Sequence, residues 1–178
     1  MAVDTLKKSH PLVVVMGVSG SGKTTIGTLI AEALHVPFAD ADGLHPRSNV
    51  VKMAEATPLT DEDRWPWLAL VGEQIAAASE TGIVMACSAL KRSYRDAIDA
   101  AAPGVLFVHL HADQTVLSAR IEGRSGHFMP PALLKSQFEA LELLQADENG
   151  CVVNVAGGVD EIVRTAVDLV EQSTVRVR

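Results

Sequence analysis

The chain's most chemically loaded stretch is Gly17-Val18-Ser19-Gly20-Ser21-Gly22-Lys23-Thr24, which has the spacing G-x-x-x-x-G-K-[ST] of a phosphate-binding loop. Gly17, Gly20 and Gly22 can take backbone angles closed to other residues, so successive N–H groups can turn toward one anion. A helix opening at the end of the loop would add unpaired N–H groups and the positive end of its dipole. In this motif Lys23 reaches the β- and γ-phosphates and the Thr24 hydroxyl ligates Mg²⁺. Ser19, Ser21 and Thr25 complete the nucleotide-binding candidates. The expected ligand is a nucleoside triphosphate.

Three further clusters could act on a bound phosphate. Asp40 and Asp42 stand two apart. One carboxylate could hold Mg²⁺ and the other accept a proton from a substrate hydroxyl, while a solvated loop or a helix cap is the alternative reading. Lys91 and Arg92 follow an apolar run that ends without an acidic residue, which leaves Asp40 as the candidate second metal ligand beside Thr24. Their positive charge opposes the dipole at a helix start, which implies another reason for their placement. Arg120 and Arg124 are four apart and can share a face where a helix runs into the segment Gly123-Arg124-Ser125-Gly126-His127. A basic loop with two glycine hinges suits closure over a γ-phosphate, and a solvated loop is again the alternative. His45 and His127 have no partner at metal-ligand spacing.

The elements that must carry these residues follow from periodicity. Residues 12–16 are apolar and β-branched, a buried strand, and residues 25–34 place Ile26, Leu29, Ile30, Ala33 and Leu34 at helical spacing. Further strands are expected at 36–40, 83–87, 105–110 and 151–155. Helices are expected at 45–53, from an N-cap at Thr60 to about 79, from about 92 to 102, after Asp113, at 132–144 and at 159–172. Strands alternating with helices predict one three-layer α/β domain around a five-stranded parallel sheet, with ligands gathering at the carboxyl ends of the strands. Residues 1–11 are polar and read as a flexible tail ahead of a single domain at 12–178.

Composition narrows the function classes. The chain has 178 residues, a formal net charge of −7, and no apolar run near the roughly 20 residues a bilayer requires. General binding to nucleic acid or to anionic membrane is therefore not expected, and the protein reads as cytoplasmic. Cys87 and Cys151 lie in apolar, strand-like runs and read as buried free thiols. Trp65 and Trp67 read as packing residues.

Beyond the phosphate loop, the chain resembles the small P-loop gluconokinases. Asp40-Ala41-Asp42, His45-Pro46, Pro58-Leu59-Thr60-Asp61, Asp63-Arg64-Trp65-Pro66-Trp67-Leu68, Cys87-Ser88-Ala89-Leu90-Lys91, Tyr94-Arg95-Asp96, Gly126-His127-Phe128-Met129 and Gln137-Phe138-Glu139-Ala140-Leu141-Glu142 carry the likeness, over about residues 12–170. Cys-Ser-Ala-Leu-Lys with Gly-His-Phe-Met is the most specific part. The resemblance implies a P-loop NTPase fold of the nucleoside monophosphate/shikimate kinase type with a mobile lid at about 123–131. It also implies Mg-assisted transfer of phosphate from ATP to the terminal hydroxyl of D-gluconate, in a homodimer. By that similarity Asp42 is the base. Arg64, Lys91 and His127 hold the polyol or its carboxylate, with His45, Arg92 and Gln137 as further contacts. Arg120 stacks near adenine, and Arg124 is the lid arginine that joins Lys23 in catalysis. Kinases of the same fold acting on shikimate, a nucleotide or another sugar acid are the near rivals. A nucleotide-dependent switch is the distant one, although the chain has no Asn-Lys-x-Asp base-reading motif.

Overall fold

The computed structural model describes residues 10–122 and 131–176, with side chains at 10–119 and 133–174. Residues 1–9 of the expected tail and 123–130 of the expected lid lie outside the described residues, as do Arg124, His127 and the side chain of Arg120.

Strand β1 (Leu12–Met16) is central because both of its faces are apolar. Val13 and Val15 point into one core with Ile26 and Ile30 of α1 (Lys23–Leu34) and Ile162, Ala166 and Val170 of α7 (Val159–Arg176). Val14 and Met16 point into a second core with Trp67, Leu68, Val71 and Ile75 of α3 (Asp61–Ala77) and Ile98 of α4 (Arg92–Ala101). Burial on both faces is the habit of a parallel sheet covered by helices. The sheet order is β2 (Phe38–Asp40), β3 (Ile83–Ala86), β1, β4 (Leu106–His111), β5 (Gly150–Asn154), with every pairing parallel. The strand order reverses beside β1, where the rule for open α/β sheets puts the ligand crevice.

Local chemistry sets the helix ends. Thr60 caps α3 in a capping box: its hydroxyl accepts from Asp63 N–H and the Asp63 carboxylate accepts from Thr60 N–H. A 3₁₀ turn (Ala41–Leu44) follows β2, and α2 (Arg47–Ala54) follows that turn. The remaining helices are α5 (Gln114–Glu122) and α6 (Pro131–Ala140).

Two boundaries and one burial differ from the sequence-based expectation. The second strand begins only at Phe38. The helix expected at 132–144 stops at Ala140, because Glu142 N–H donates to Leu90 O and Glu142 O accepts from Arg95 Nη1. Those long-range partners satisfy the backbone that another helical turn would have used. Cys87 is buried and its thiol is pushed up to about 12 by desolvation, whereas Cys151, on the outermost strand β5, is only half-buried.

Candidate active site

The phosphate loop joins β1 to α1 at the carboxyl edge of the sheet. Gly17, Gly20 and Gly22 all have positive φ, at 145°, 79° and 96°. At Gly17 a Cβ would also fall 2.8 Å from Leu110 O and from Ser21 Oγ, so only glycine fits. Gly17 N–H donates to Ser88 O just past β3, which pins the loop to the sheet. Gly22 is the N-cap of α1 and supplies no side-chain cap, which leaves the first N–H groups of the helix for an anion. Ser21 Oγ is buried without a partner among the described residues, inside the loop where a phosphate would be held.

Lys23 Nζ donates to Val18 O at 3.1 Å. Burial pushes its ammonium below the usual lysine range, and the attraction of Asp42, Cys87 and Asp40 opposes that shift only in part. Thr24 Oγ1 donates to Asp40 Oδ2 at 3.0 Å, while Asp40 Oδ1 accepts from Asp42 N–H at 3.0 Å. Asp40 is thus both the cap of the 3₁₀ turn and the neighbour of the loop threonine. A hydroxyl beside a carboxylate is a hard-oxygen donor set that fits Mg²⁺. No group of three or more His, Cys, Asp or Glu side chains that could hold a metal occurs among the described residues. Asp42 is held above the ordinary carboxylate range by desolvation and by Asp40, against the pull of Lys23.

The turn that positions Asp42 rests on a tryptophan. Trp67 Nε1 donates to Ala41 O at 2.7 Å, and the His45 ring stacks on the Trp67 ring at 4.2 Å with 14° between planes. Asn49 Nδ2 lies 3.3 Å from His45 Nδ1 and donates to Asp63 O at 2.8 Å. Burial and nearby Arg64 push the imidazole down to about 4, so His45 is neutral near pH 7.

On the neighbouring wall, Lys91 Nζ reaches both Asp61 oxygens at 2.8 and 3.0 Å, and Tyr94 OH donates to Asp61 Oδ1. The Arg64 guanidinium sits 5.7 Å from the centre of the Tyr94 ring, and Trp65 meets that ring edge-on at 5.6 Å. Hydrogen bonds from Lys91 and Tyr94 hold the Asp61 carboxyl below its usual range. Arg92 is directed elsewhere: its guanidinium takes both oxygens of Asp147 at 2.7 and 3.0 Å and also contacts Asp96 at 3.3 Å. Those two carboxylates account for a cation at the start of α4. Gln137 of α6 lies on the phosphate loop, where Ser19 N–H donates to its Oε1 at 2.7 Å.

The structure therefore brings Lys23, Thr24, Asp40 and Asp42 together, seats His45 beside them, and gathers Arg64 with Lys91 around Tyr94. Asp61 and Tyr94 were not among the residues picked out by sequence reasoning. Both stand in motifs of the resemblance, but their meeting spans 33 residues and no local spacing reveals it.

A phosphate loop heading an all-parallel sheet in this strand order, with a carboxylate beside the loop lysine, defines a P-loop kinase of the shikimate kinase type. The shikimate kinase family model matches residues 19–152. The thermosensitive gluconokinase of Escherichia coli K12 is 49% identical over 142 residues, covering 78% of this chain and 75% of that protein. The thermoresistant gluconokinase of the same organism is 38% identical over 173 residues, covering 96% and 99%. The crystal structure of a gluconokinase from Sinorhizobium meliloti 1021 superposes with a TM-score of 0.88 at 48% identity, covering 95% of each chain. The chain belongs to the gluconokinases within the shikimate kinase family.

Proposed function

We propose that the protein transfers the γ-phosphoryl group of ATP to the terminal hydroxyl of D-gluconate, forming 6-phospho-D-gluconate and ADP. The observation that carries this reading is the Thr24 Oγ1 bond to Asp40 Oδ2, which ties the phosphate loop to the turn that bears Asp42 and is followed by His45. The loop holds the phosphates, and Lys23 offsets charge on the γ-phosphoryl oxygens as the bond to ADP breaks. Asp42, its pKa raised, accepts the hydroxyl proton as the hydroxyl oxygen forms its bond to phosphorus. Arg64 and Lys91 supply cations for the gluconate carboxylate, while neutral His45 can hydrogen-bond a polyol hydroxyl. Mg²⁺ would be held by Thr24 and, directly or through water, by Asp40, and would neutralise phosphate charge. Arg120 and Arg124 enter on their spacing and the resemblance, His127 and the homodimer on the resemblance alone, and the cytoplasmic location on the composition.

The test is ADP release from Mg·ATP with D-gluconate, beside shikimate, nucleoside monophosphates and other sugar acids, with Lys23→Ala as the inactive control. Gluconate-dependent ADP with 6-phosphogluconate as product is the expected result. Turnover with a different acceptor alone overturns the substrate, and acceptor-independent hydrolysis overturns the kinase reading.

A further inference from the structure

One peptide unit of the phosphate loop is bonded on both sides. The Val18 carbonyl accepts Lys23 Nζ at 3.1 Å, and the N–H of the same unit, from Ser19, donates to Gln137 Oε1 at 2.7 Å. The partners of the second bond are 118 residues apart, and Gln137 is half-buried on α6. Such a chain polarises in one direction. The ammonium draws density from the Val18 carbonyl, the Ser19 N–H becomes a stronger donor, and the Gln137 amide that accepts it becomes a stronger donor at its own NH₂ group. The amide is also oriented, because its oxygen faces the loop and its NH₂ must therefore face away from Ser19 N–H. That NH₂ group makes no hydrogen bond to a described residue.

We propose that Gln137 donates a hydrogen bond to the transferred phosphoryl group, held in place by the loop itself, and is not a gluconate-recognition residue. The inference rests on the phosphoryl-transfer reading above and gives Gln137 to the nucleotide side of the reaction. Its anchor is the peptide that also holds Lys23, the side chain that reaches the β- and γ-phosphates in this motif. In the transition state charge is spread over the three equatorial γ-phosphoryl oxygens, so a donor fixed beforehand bonds there without reorganising. The loop N–H and Gln137 thus form a composite donor: the backbone supplies orientation and the side chain supplies reach.

Two variants separate the possibilities. Gln137→Met keeps the length and removes both polar atoms. Gln137→Glu keeps an acceptor for Ser19 N–H but replaces the NH₂ with an oxygen. Calorimetric titration without gluconate compares ADP with a non-hydrolysable ATP analogue, and steady-state kinetics follow with gluconate. In Gln137→Met the analogue should bind about 10-fold more weakly and kcat should fall about 10- to 100-fold, as for loss of one bond to a charged group. ADP affinity and the KM for gluconate should each stay within about twofold, since neither ligand alone presents the γ-phosphate. Gln137→Glu should show a larger loss for the analogue than for ADP.

Equal loss of both nucleotides would mean that Gln137 only shapes the loop, and overturns the proposal. A raised KM for gluconate with unchanged nucleotide affinities and kcat would return Gln137 to the sugar acid, and also overturns it. So does no change in any parameter. If Gln137→Met does not fold, as judged by thermal melting, Gln137→Glu decides the matter through the same ratio of analogue to ADP. The titrations contain no acceptor, so they remain decisive even if the wild-type enzyme proves inactive on gluconate.

Discussion

Arg95 carries the most deeply buried charge among the described residues, with 1% of its side chain exposed. Its guanidinium forms a two-pronged ion pair with Glu148, which is 5% exposed, and its Nη1 also donates to Ala89 O, Leu90 O and Glu142 O at 3.1 Å each. Arg95→Met keeps much of the apolar stem but strips the Arg95 partner from a buried carboxylate and from the Ala89 and Glu142 carbonyls, while Leu90 O keeps the Glu142 N–H. Breaking a buried pair in this way costs about 3–5 kcal/mol. For a chain of this size each kcal/mol moves the melting temperature by about 2–4 °C, which gives a fall of about 6–20 °C. Urea unfolding followed by circular dichroism and calorimetric melting would measure both. Glu148→Met in the Arg95→Met background should recover part of the loss, because no unpaired charge is then left inside. The sign with pH can also be checked. Burial pushes the Glu148 carboxyl up, but the Arg95 hydrogen bond, Gln145 N–H and the Arg95 charge outweigh burial and hold it below its ordinary 4.5. The wild type therefore has this stabilisation above pH 4.5 and loses it as pH falls further, a dependence that the single variant should lack. A loss under about 1 kcal/mol in Arg95→Met, or a double variant no more stable than the single one, would refute the assignment.

Three other outcomes are expected. Asp42→Asn should lower kcat by about 10²–10⁴-fold with ATP binding retained, and wild-type turnover would remove Asp42 as base. Gly72→Ala would set a Cβ 2.6 Å from Ala101 Cβ between α3 and α4; urea titration should show a loss of about 1–3 kcal/mol, largely relieved by Ala101→Gly in the same chain. Buried His109, facing His111 and Arg95, is pushed down to about 4 by desolvation, then by those two neighbours, so protonation favours the unfolded chain as pH falls below 6.5. Between pH 7 and pH 4.5, His109→Phe should lose about 2.5 kcal/mol less stability than wild type, and parallel pH profiles would exclude a buried neutral imidazole.

What could be read from the sequence was what the chain encodes locally. The phosphate loop, the strand before it, the helix after it and the Thr60 cap each depend on residues within a few positions of one another. Asp40 and Asp42 were equally legible as a pair, but the bond that ties Asp40 to the phosphate loop comes from Thr24, 16 residues upstream. The end of α6 was misjudged because its helical pattern continues through Leu144, while Leu90 and Arg95 take the Glu142 backbone away from the helix. Arg92 carried a correct warning, a cation at the wrong end of a helix dipole, and the carboxylates that explain it lie on α4 and before β5. Gln137 stood in a motif that the resemblance grouped with the sugar acid, and only the folded chain shows its oxygen on the phosphate loop.

The His45–Trp67 stack has an optical consequence. The chain has only two tryptophans, and they stand on opposite sides of Pro66 in very different surroundings. Trp67 is fully buried with an imidazole against its face, and Trp65 is 41% exposed against Tyr94. Emission from Trp67 would therefore be blue-shifted and sensitive to any ligand that moves or protonates His45, while Trp65 would report on the wall formed by Arg64, Lys91 and Tyr94. The protein thus carries two native tryptophan fluorophores, one against His45 and one against Tyr94, and a change at either contact could be followed in real time without a label.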